Sequence, residues 1–429
     1  MEGIHVGLLG LGTVGSGAYR ILQQNGQQIE KKLGTRLVIK RVLERVPEKV
    51  KALEVPPEAV AADFREIIDD PDIQIVVELI GGLEPARSFM VEALKRGKHV
   101  VTANKDCIAV HGKDLFAAAQ EGHSDFYFEA SVGGGIPIIL PLKQSLAGNN
   151  IREIIGIVNG TTNYILTKMA AEQRPFEDVL KEAQDLGYAE SDPAADVEGL
   201  DAARKMTILA SIGFGTRVAL SDVYVEGITR VSPQDIEYGN ELGYVLKLLG
   251  IAKEEDGEVE VRVHPAFLPA KHPLAAVNDV YNAIFVRGDA VGQTMFYGRG
   301  AGQMPTGSAV VGDIMEVARN LTFGISGRIT CTCLEQKSIR PMGKVMNKYY
   351  IRLQVKDNPG VMASIAGVFA NRSVSLASVI QKRTVDTMAE IVLVTHEVKE
   401  QAIQEALKIL GGMSIVSNIS NVIRVERGA

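Results

Sequence analysis

The stretch 187–205, GYAESDPAADVEGLDAARK, carries five carboxylates and ends on a lysine. Its proline and aspartates predict a loop, followed by a helix that begins near Asp196 as the N-cap residue. At about 100° per residue, Asp201 and Lys205 lie one turn apart on the same side of that helix, together with apolar residues. A solvated ion pair is one interpretation, and it contributes only about 0.2–0.5 kcal/mol. Alternatively, an acid on a partly apolar face tunes the pKa of the lysine, so that the lysine exchanges a proton near neutral pH.

A glycine-rich hexapeptide, GLGTVG at 10–15, follows an apolar run at 4–9 and precedes a helical pattern. In that context G-x-G-x-x-G predicts a dinucleotide site, and a plain tight turn is the alternative. The first glycine permits the turn, the second lets the backbone approach a pyrophosphate, and the third lets the helix pack closely on the strand. The helix N-terminus supplies N–H donors. The predicted cofactor contacts are Gly10, Gly12, Thr13, Val14 and Gly15.

The end of the second predicted strand bears on which nicotinamide cofactor is expected. An acidic residue at that position binds a ribose 2′-hydroxyl. The segment at 42–49 is VLERVPEK, in which Glu44 is the acidic candidate, while Arg45 and Lys49 suit a 2′-phosphate. We therefore favour NADP, with Arg45 as a contact, and NAD stays open.

Lys105 lies in TANKD at 102–106, directly after the fourth predicted strand. Open α/β sheets bind ligands at the carboxyl ends of their strands, so Thr102 and Lys105 are expected near the cofactor. Lys105 can act on the substrate or beside the nicotinamide. A surface lysine is the alternative interpretation.

Glycines are dense in EASVGGGIP at 129–137. Three consecutive glycines allow φ > 0 and let backbone carbonyls turn toward a ligand. Together with the Glu129 carboxylate, such carbonyls are hard oxygen donors, which suit an alkali or other hard cation. A flexible turn is an equally good interpretation of the same residues.

The segment NGTTNYIL at 159–166 places two threonines and an asparagine at a predicted helix N-terminus. Hydroxyl and amide groups at that position cap free backbone N–H groups. The same groups can also hold a substrate carboxylate, so Thr161, Thr162 and Asn163 are candidates for either role.

Short apolar runs at 4–9, 36–43, 73–80 and 99–103 alternate with helical patterns such as 84–96. Alternating strands and helices predict a parallel sheet covered by helices on both faces. Beyond about residue 140, helical patterns come first and strand-like runs follow at 259–268, 282–288 and 292–298, which predicts an α+β region. Its helices are expected at 161–172, 175–186 and 196–212, and a later helix at 308–320 is expected to pack back on the first sheet.

The C-terminal part follows the order βαββαβ, with helices expected at 361–371 and 399–410. That order is the ferredoxin-like unit. The segment before it has no clear period and is predicted to be a linker. The expected domains are 1–135, with a return helix at about 305–325, then 136–304, the linker 331–348, and 349–429.

The composition is that of an ordinary globular protein, with 429 residues, 46% hydrophobic and 23% charged. At about 100 to 200 residues per domain, this length predicts two or three domains. The net charge of -6 argues against nucleic acid or an anionic membrane as a partner. The three cysteines show neither a disulfide framework nor zinc spacing, and no signal peptide or membrane span is predicted, so a cytoplasmic location is expected.

Taken together, these motifs resemble the long, feedback-regulated type of homoserine dehydrogenase. Ala189 through Lys205 is similar to the family signature AxxDPxxDxxGxDAxxK, and GLGTVG, TANK, NGTTNY and GRGAGQMPTGSAVVGD agree in order and spacing. The resemblance implies NAD(P)-dependent interconversion of L-homoserine and L-aspartate 4-semialdehyde, in the biosynthesis of threonine, methionine and isoleucine. It also implies a Rossmann-type parallel-sheet domain, an α+β domain for substrate binding and dimerisation, and a C-terminal ferredoxin-like ACT domain.

The resemblance also assigns roles to individual residues. It implies that Lys105 and Lys205 are the catalytic lysines, and that Lys205 exchanges the proton on the substrate oxygen. Substrate contacts would come from Gly187, Glu190, Asp201 and Lys205. A monovalent cation such as sodium would be held, mostly through backbone carbonyls, by Glu129, Val132, Gly134 and Ile136. Gly302 would close over the cofactor, whereas Val46 stands where relatives often carry an acid.

The last segment resembles an ACT domain, in which the loop after the first strand often binds an amino acid. The matching residues are Asp357, Asn358, Pro359 and Gly360. In this family the implied effector is L-threonine. Pairing of such domains implies a homodimer or a homotetramer.

Two other functions remain as alternatives. An acylating aldehyde dehydrogenase needs an activated cysteine, for which Cys107 is the one candidate in the catalytic half. An amino-acid sensor without catalysis would bind ligands only, although the presence of both Lys105 and Lys205 argues against it.

Overall fold

The structure is a computed structural model, and it describes residues 3–385 and 387–428. The chain divides into two compact units. The first unit comprises Met1–Ile154, Arg204–Asp222 and Tyr281–Lys337. The second unit comprises Ile155–Ala203, Val223–Val280 and Ser338–Ala429.

The strands follow one another along the chain as β1 (Ile4–Leu9), β2 (Leu37–Leu43), β3 (Val60–Ala61), β4 (Ile73–Glu78), β5 (His99–Thr102), β6 (Phe126–Tyr127), β7 (Ile151–Ile157), β8 (Tyr224–Val225), β9 (Tyr244–Glu255), β10 (Glu258–Pro269), β11 (Tyr281–Gly288), β12 (Gly292–Arg299), β13 (Ser338–Ile339), β14 (Met346–Lys356), β15 (Leu376–Val385), β16 (Met388–Thr395), β17 (Val398–Lys399) and β18 (Val416–Val425). The α-helices are α1 (Thr13–Leu33), α2 (Pro47–Ala52), α3 (Arg65–Ile68), α4 (Ala86–Lys95), α5 (Lys105–Glu121), α6 (Ile139–Lys143), α7 (Gly160–Glu172), α8 (Phe176–Asp185), α9 (Ala194–Val197), α10 (Leu200–Gly213), α11 (Pro233–Glu241), α12 (Gln303–Thr322), α13 (Val361–Asn371) and α14 (Glu400–Gly411).

The first unit is built on a parallel sheet in the order β3-β2-β1-β4-β5-β6. Its central strands β1, β4 and β5 are almost entirely buried, as expected for apolar strands covered on both faces. The parallel sheet and its four longer strands confirm the prediction from the alternating pattern. Helix α12 adds Val310, Ile314 and Val317 to the same core as β1, so it packs back on this unit.

The helix expected from Asp196 onward is instead two helices, α9 and α10, and the predicted start was wrong. Gly199 separates them with φ +84°, a conformation that a continuous right-handed helix does not contain. A Cβ at Gly199 would lie 3.2 Å from the carbonyl oxygen of Glu226, so the chain passes close to a neighbouring segment there. Asp196 is not an N-cap, and its carboxylate accepts a hydrogen bond from Asn159 instead.

The second unit contains a mixed sheet whose longest pair is β9 and β10, joined antiparallel over twelve residues each. The predicted strand at 259–268 is part of β10, but β9 was not predicted. Its apolar run contains Lys247, which is buried with its ammonium donating to the carbonyl oxygen of Val277 at 2.5 Å and to Asn278 Oδ1 at 3.0 Å. Because a charged lysine interrupts the apolar run, the hydrophobicity pattern did not indicate this strand.

The C-terminal part has the predicted βαββαβ order in β14, α13, β15, β16, α14 and β18, with the short β17 added. Its sheet continues into β10, because Arg424 and Val425 of β18 pair with Ala266 and Phe267. The predicted linker is shorter than expected, because Ser338 and Ile339 pair with β10 and β14 already begins at Met346.

A buried charge cluster lies in the second unit around Arg262, whose side chain is 1% exposed. Its guanidinium lies 2.8 Å from Glu426 Oε1 and is also paired with Glu260. Burial acts to raise the pKa of the Glu426 carboxyl, but Arg262 and Lys253 hold it well below its ordinary value. The cluster therefore places two cationic groups, Arg262 and Lys253, beside two buried carboxylates, so that the charges compensate one another.

Among the described residues, no helix combines the length and apolar character needed to cross a membrane.

Candidate active site

The glycine-rich loop lies between β1 and α1, at the carboxyl end of the parallel sheet. Gly10 has φ +94°, and a Cβ there would lie 2.7 Å from the carbonyl oxygen of Leu79. A Cβ at Gly15 would lie 2.0 Å from the carbonyl oxygen of Gly10, so the close approach requires glycine. At Gly12, by contrast, no atom of the described residues lies within 4 Å of a Cβ position. Gly12 is the N-cap of α1 and no side chain caps this helix, so the loop fits a pyrophosphate on the helix N-terminus.

Gly302 lies at the N-terminus of α12 with φ +123° and is exposed. The first turn of α12 packs against α1, because a Cβ at Gly17 would lie 2.0 Å from the carbonyl oxygen of Gln303. Because α1 begins beside the glycine-rich loop, this packing holds Gly302 close to the start of the same helix.

Glu44, at the end of β2, holds the glycine-rich loop from the side. Its Oε2 accepts a hydrogen bond from the Leu11 N–H at 2.6 Å, and its Oε1 accepts from the N–H groups of Arg45 and Val46. Desolvation acts to raise the pKa of Glu44, but these backbone donors and Lys49 hold it below its ordinary value. The carboxylate is therefore ionised and engaged by the backbone, whereas the side chains of Arg45 and Lys49 are exposed beside it.

Thr102 ends β5 and is completely buried. Its hydroxyl donates to Glu78 Oε2 at 2.7 Å and accepts from the Asn104 N–H at 3.0 Å. Both hydrogen bonds lie within the sheet edge, so a cofactor contact from this residue would have to come from its backbone.

Lys105 is the first residue of α5 and is half-buried. Asn104 caps this helix, with its side-chain oxygen accepting from the Cys107 N–H at 3.1 Å. The cap fixes the helix start directly after β5, where the sequence predicted a ligand-binding position.

Lys205 lies in α10, one turn after Asp201, and is half-buried. Its neighbour Arg204 makes an ion pair with Asp106, the neighbour of Lys105, with 2.9 Å between Arg204 Nε and Asp106 Oδ1. This ion pair joins the first turn of α5 to α10 within the first unit. Residues directly beside the two predicted catalytic lysines are therefore in contact.

Asn159 is a residue that the sequence analysis missed. Its side-chain nitrogen donates to Asp196 Oδ1 at 2.7 Å and to Asp201 Oδ2 at 2.9 Å. Its side-chain oxygen accepts from the Thr162 N–H at 2.9 Å, so Asn159 rather than a threonine caps α7. An asparagine two residues before the helix predicted at 161–172 was the available signal. Through this one amide, the start of α7 fixes the orientation of the Asp201 carboxylate.

The other predicted substrate residues lie in the loop after α8. Gly187 has φ +73°, which explains glycine at that position, and it is exposed. The carbonyl of Glu190 accepts from Gln184 Nε2 at 3.0 Å, while the Glu190 side chain is exposed. Asp201, by contrast, is buried, so the two predicted substrate carboxylates lie in different environments.

The predicted cation site surrounds a glycine turn with φ +75° at Gly133 and +56° at Gly134. The Glu129 carboxylate accepts from three backbone N–H groups at the start of α6, at 2.6 to 2.7 Å. Burial raises the pKa of the Glu129 carboxyl above its ordinary value, although the three N–H donors act to lower it. The carboxylate thus serves as a helix cap, which leaves the backbone carbonyls of Glu129, Val132, Gly134 and Ile136 as the possible ligands.

Within the described part of the chain, no group of three or more His, Cys, Asp or Glu side chains could hold a metal ion. Next to the glycine turn, however, the buried amide of Asn282 has no hydrogen-bond partner on its nitrogen or its oxygen. A Cβ at Gly300 would lie 1.9 Å from that nitrogen, and a Cβ at Gly134 would lie 2.5 Å from the Gly300 carbonyl oxygen. Polar atoms without partners are therefore present beside this turn.

Cys107 does not have the environment of a nucleophile. It is fully buried, and its thiol donates to the carbonyls of Gly82 and Leu83. Burial raises the pKa of this thiol to about 12, so the reactive thiolate is absent near neutral pH. This environment contradicts the alternative of an acylating dehydrogenase.

The predicted effector loop follows β14 and is exposed. The Asp357 N–H donates to the carbonyl of Thr387 at 2.8 Å, and Thr384 Oγ1 donates to Asp357 Oδ2 at 3.4 Å. Gly360 has φ +88° and is the N-cap of α13, which no side chain caps.

Comparison with protein-family models gives three matches along the chain. Residues 10–129 match the NAD-binding domain of homoserine dehydrogenase, residues 137–315 match the homoserine dehydrogenase family itself, and residues 349–412 match the ACT domain. A homoserine dehydrogenase of Bacillus subtilis (strain 168) is 46% identical over 428 residues, which cover 99% of this chain and 99% of that protein. The chain belongs to the homoserine dehydrogenase family.

Solved structures agree with this assignment. A crystal structure of a homoserine dehydrogenase from Thiobacillus denitrificans superposes with a TM-score of 0.94, at 43% identity over 99% of both chains. A hyperthermophilic archaeal homoserine dehydrogenase in complex with NADPH is 27% identical, with a TM-score of 0.63 over 73% of this chain and 97% of that one. The enzyme is thus an NAD(P)-dependent oxidoreductase of amino-acid biosynthesis, with a Rossmann-like domain, a mixed-sheet catalytic domain and a C-terminal ACT domain. Both alternatives, the acylating dehydrogenase and the sensor without catalysis, are wrong.

Proposed function

We propose that Lys205 and Lys105 are the catalytic residues for the interconversion of L-homoserine and L-aspartate 4-semialdehyde. The observation that carries this proposal is the Arg204–Asp106 ion pair, which joins α10 to the first turn of α5 beside both lysines. When bound, the nicotinamide supplies the acceptor for the hydrogen that leaves the alcohol carbon. The chain must then take up the hydroxyl proton.

Lys205 is the group to which we assign that proton. A lysine acts as a general base or acid when it lies within hydrogen-bond reach of the reacting hydroxyl, and bound substrate and cofactor exclude water from the site. Lys105, at the sheet edge where ligands bind, positions the hydroxyl. In the reverse direction Lys205 returns the proton to the aldehyde oxygen.

Glu190 and Asp201 are proposed to hold the ammonium group of homoserine, with Gly187 lining the site. Support comes from α10, which carries Asp201 one turn before Lys205. Asn159 donates to Asp201 and fixes its carboxylate. A carboxylate held in this way presents the substrate to the lysine in a defined orientation.

NADP is the proposed cofactor in preference to NAD. Glu44 is engaged by the Leu11 N–H and is ionised, while the exposed Arg45 and Lys49 lie beside it. A charge-assisted contact to a 2′-phosphate contributes about 1.5–3 kcal/mol.

Arg45→Ala is therefore expected to raise the KM for NADP by about 10-fold to 100-fold and to leave the KM for NAD unchanged. The measurement is homoserine oxidation with each cofactor. Arg36→Ala is the matched control, because Arg36 is an exposed arginine directly before the first residue of β2, at the end of the strand away from Arg45. A wild-type enzyme that prefers NAD, with no effect of Arg45→Ala, would contradict the proposal.

A monovalent cation such as sodium is proposed at the backbone carbonyls of Glu129, Val132, Gly134 and Ile136. The left-handed glycine turn and the unpartnered amide of Asn282 support a polar ligand at this place. Carbonyl oxygens are ligands that hard cations accept.

L-Threonine is the proposed effector, and its binding site is the exposed loop that includes Asp357, Asn358 and Gly360. Support comes from the uncapped N-terminus of α13, whose N–H groups suit the carboxylate of an amino acid. The sheet that carries this loop continues within the second unit from β18 into β10.

Asn358→Ala is expected to raise the threonine concentration for half-inhibition by about 5-fold, since a lost hydrogen bond costs about 1 kcal/mol, and to leave turnover without threonine unchanged. The measurement is homoserine oxidation across a threonine titration. Asn371→Ala, at the other end of α13, is the control. Absence of inhibition in the wild type, or equal behaviour of both variants, would contradict the assignment.

For the subunit and cellular setting, we propose a homodimer or homotetramer in the cytoplasm. ACT domains usually pair with one another in the family that the sequence resembles, which favours a dimer or a tetramer. The three free cysteines suit a reducing compartment. The proposed domains remain 1–135 with the return helix, 136–304 for substrate and dimerisation, and 349–429 for regulation.

A further inference from the structure

A cavity of about 300 Å³ lies within the first unit, separate from the glycine-rich loop. Its walls are the middle of α5, the middle of α10 and the segment Cys331–Cys333. Phe116 and Phe128 form part of the apolar lining. Lys143 and Arg217 bring two cationic groups to the same cavity, which thus joins thiols, cations and an apolar wall.

The two cysteines in this wall are separated by a single residue, and both are free and half-buried. Both side chains line the same cavity, so each thiol influences the pKa of the other. Cys333 Sγ also lies 3.8 Å from the carbonyl oxygen of Ser211 in α10. The ammonium of Lys143 is held at the rim, donating to the carbonyl of Thr330 at 3.1 Å and lying 4.9 Å from the centre of the Phe116 ring.

The electrostatic surroundings distinguish the two thiols. Interaction with the neighbouring Cys333 lowers the pKa of Cys331 although desolvation acts to raise it, and Arg217 and Lys143 lower it further. Interaction with Cys331, together with burial, raises the pKa of Cys333. Cys333 Sγ donates to the Ser211 carbonyl, so Cys331 is the thiol of the pair that ionises more readily, and thiolates are the nucleophiles in exchange with disulfides.

We propose that Cys331 is a modification site for low-molecular-weight disulfides, which enter this cavity, and that Cys333 is the resolving thiol. Anionic disulfides with an apolar body fit best, because the cavity pairs Lys143 and Arg217 with aromatic rings. The adduct would lie against α5 and α10, the helices that carry Lys105 and Lys205.

The chemistry balances in two exchange steps. The Cys331 thiolate attacks one sulfur of the small disulfide, forms a mixed disulfide and expels one small thiolate. Cys331 then carries no negative charge, so the main cause that raises the pKa of Cys333 is gone while Arg217 and Lys143 remain. Cys333 loses its proton to solvent and attacks Cys331 Sγ, which expels the second thiolate. Two protein thiols are oxidised to one disulfide, and the small disulfide is reduced to two thiolates.

The test uses the native full chain with dithiobis-nitrobenzoate, whose released thiolate is coloured. The wild type is expected to release two thiolates per chain and to end without an adduct by mass spectrometry. Cys333→Ser is expected to release one thiolate and to retain the adduct, and Cys331→Ser to lose the fast release. Cys107→Ser, which removes the buried thiol, should behave as the wild type.

A pH series adds a measurement that folding defects do not imitate. At pH near 6, Cys331 is expected to react about 10-fold faster than a small thiol of ordinary pKa, since it is already ionised although less nucleophilic. The charged and titratable groups that line its cavity are His111, Lys113, Asp114, Lys143 and Arg217. Fast release of two thiolates by Cys331→Ser, or a rate in the wild type no greater than that of the small thiol, would overturn the proposal.

Discussion

Lys205→Ala is expected to lower homoserine turnover by about 10³-fold, which is the range for removal of a general acid or base. Binding of NADP is expected to persist, because the glycine-rich loop and its glycines are unchanged in this variant. The loss should appear in kcat rather than in the KM for the cofactor. The measurements are steady-state oxidation of homoserine and cofactor binding by fluorescence.

Two further variants separate proton exchange from charge alone. Lys205→Arg keeps the positive charge, but a guanidinium does not release its proton near neutral pH, so this variant should be as inactive as Lys205→Ala. Lys181→Ala, at an exposed lysine of α8, should retain full activity. Activity in Lys205→Arg near that of the wild type would show that Lys205 acts by charge and does not exchange a proton.

Arg262→Met should lower the free energy of unfolding by about 3–5 kcal/mol, the usual cost of removing one partner from a buried ion pair. The change leaves Glu260 and Glu426 buried without their shared guanidinium, whereas the methionine fills much of the volume. The midpoint of urea unfolding, followed by circular dichroism, measures the effect.

Arg427→Met is the matched control for this variant. Arg427 pairs with Glu397 at 2.6 Å, but its side chain is 66% exposed, and an exposed pair contributes about 0–1 kcal/mol. Equal shifts of the midpoint in both variants would contradict the view that the buried cluster stabilises the second unit.

The parallel sheet could be predicted because its strands are continuous apolar runs, such as IHVGLL at 4–9, and its glycines sit at a defined spacing. Local sequence carries both signals. The C-terminal order βαββαβ was predictable for the same reason. Helices and strands whose formation depends on their own residues can therefore be predicted from the sequence.

Features that depend on contacts with distant segments could not be predicted from the sequence. The break at Gly199 belongs to a close approach to the Glu226 carbonyl, and the strand around Lys247 depends on acceptors at 277 and 278. Likewise, Asn159 fixes Asp201 only because the start of α7 reaches it. In each of these cases the partner lies far along the chain, and no local pattern indicates it.

The candidate site shows the same limit. Spacing placed Asp201 and Lys205 on one helix, but nothing in the sequence joined Arg204 to Asp106 across about a hundred residues. Thr102 and the Glu129 carboxylate were expected to contact ligands, yet the Thr102 hydroxyl and that carboxylate are both hydrogen-bonded within the protein. A polar side chain near a site can bind a ligand only if it is not already hydrogen-bonded within the protein.

The most direct test of the central claim uses homoserine in which both hydrogens on the carbon bearing the hydroxyl group are replaced by deuterium. With the wild-type chain and NADP, deuterium is expected in the reduced nicotinamide ring, as seen by mass spectrometry, and L-aspartate 4-semialdehyde is expected as the product. Lys205→Ala should give the same label at a greatly reduced rate. Reduced cofactor without deuterium, or no reduction at all by the wild-type chain, would contradict the account.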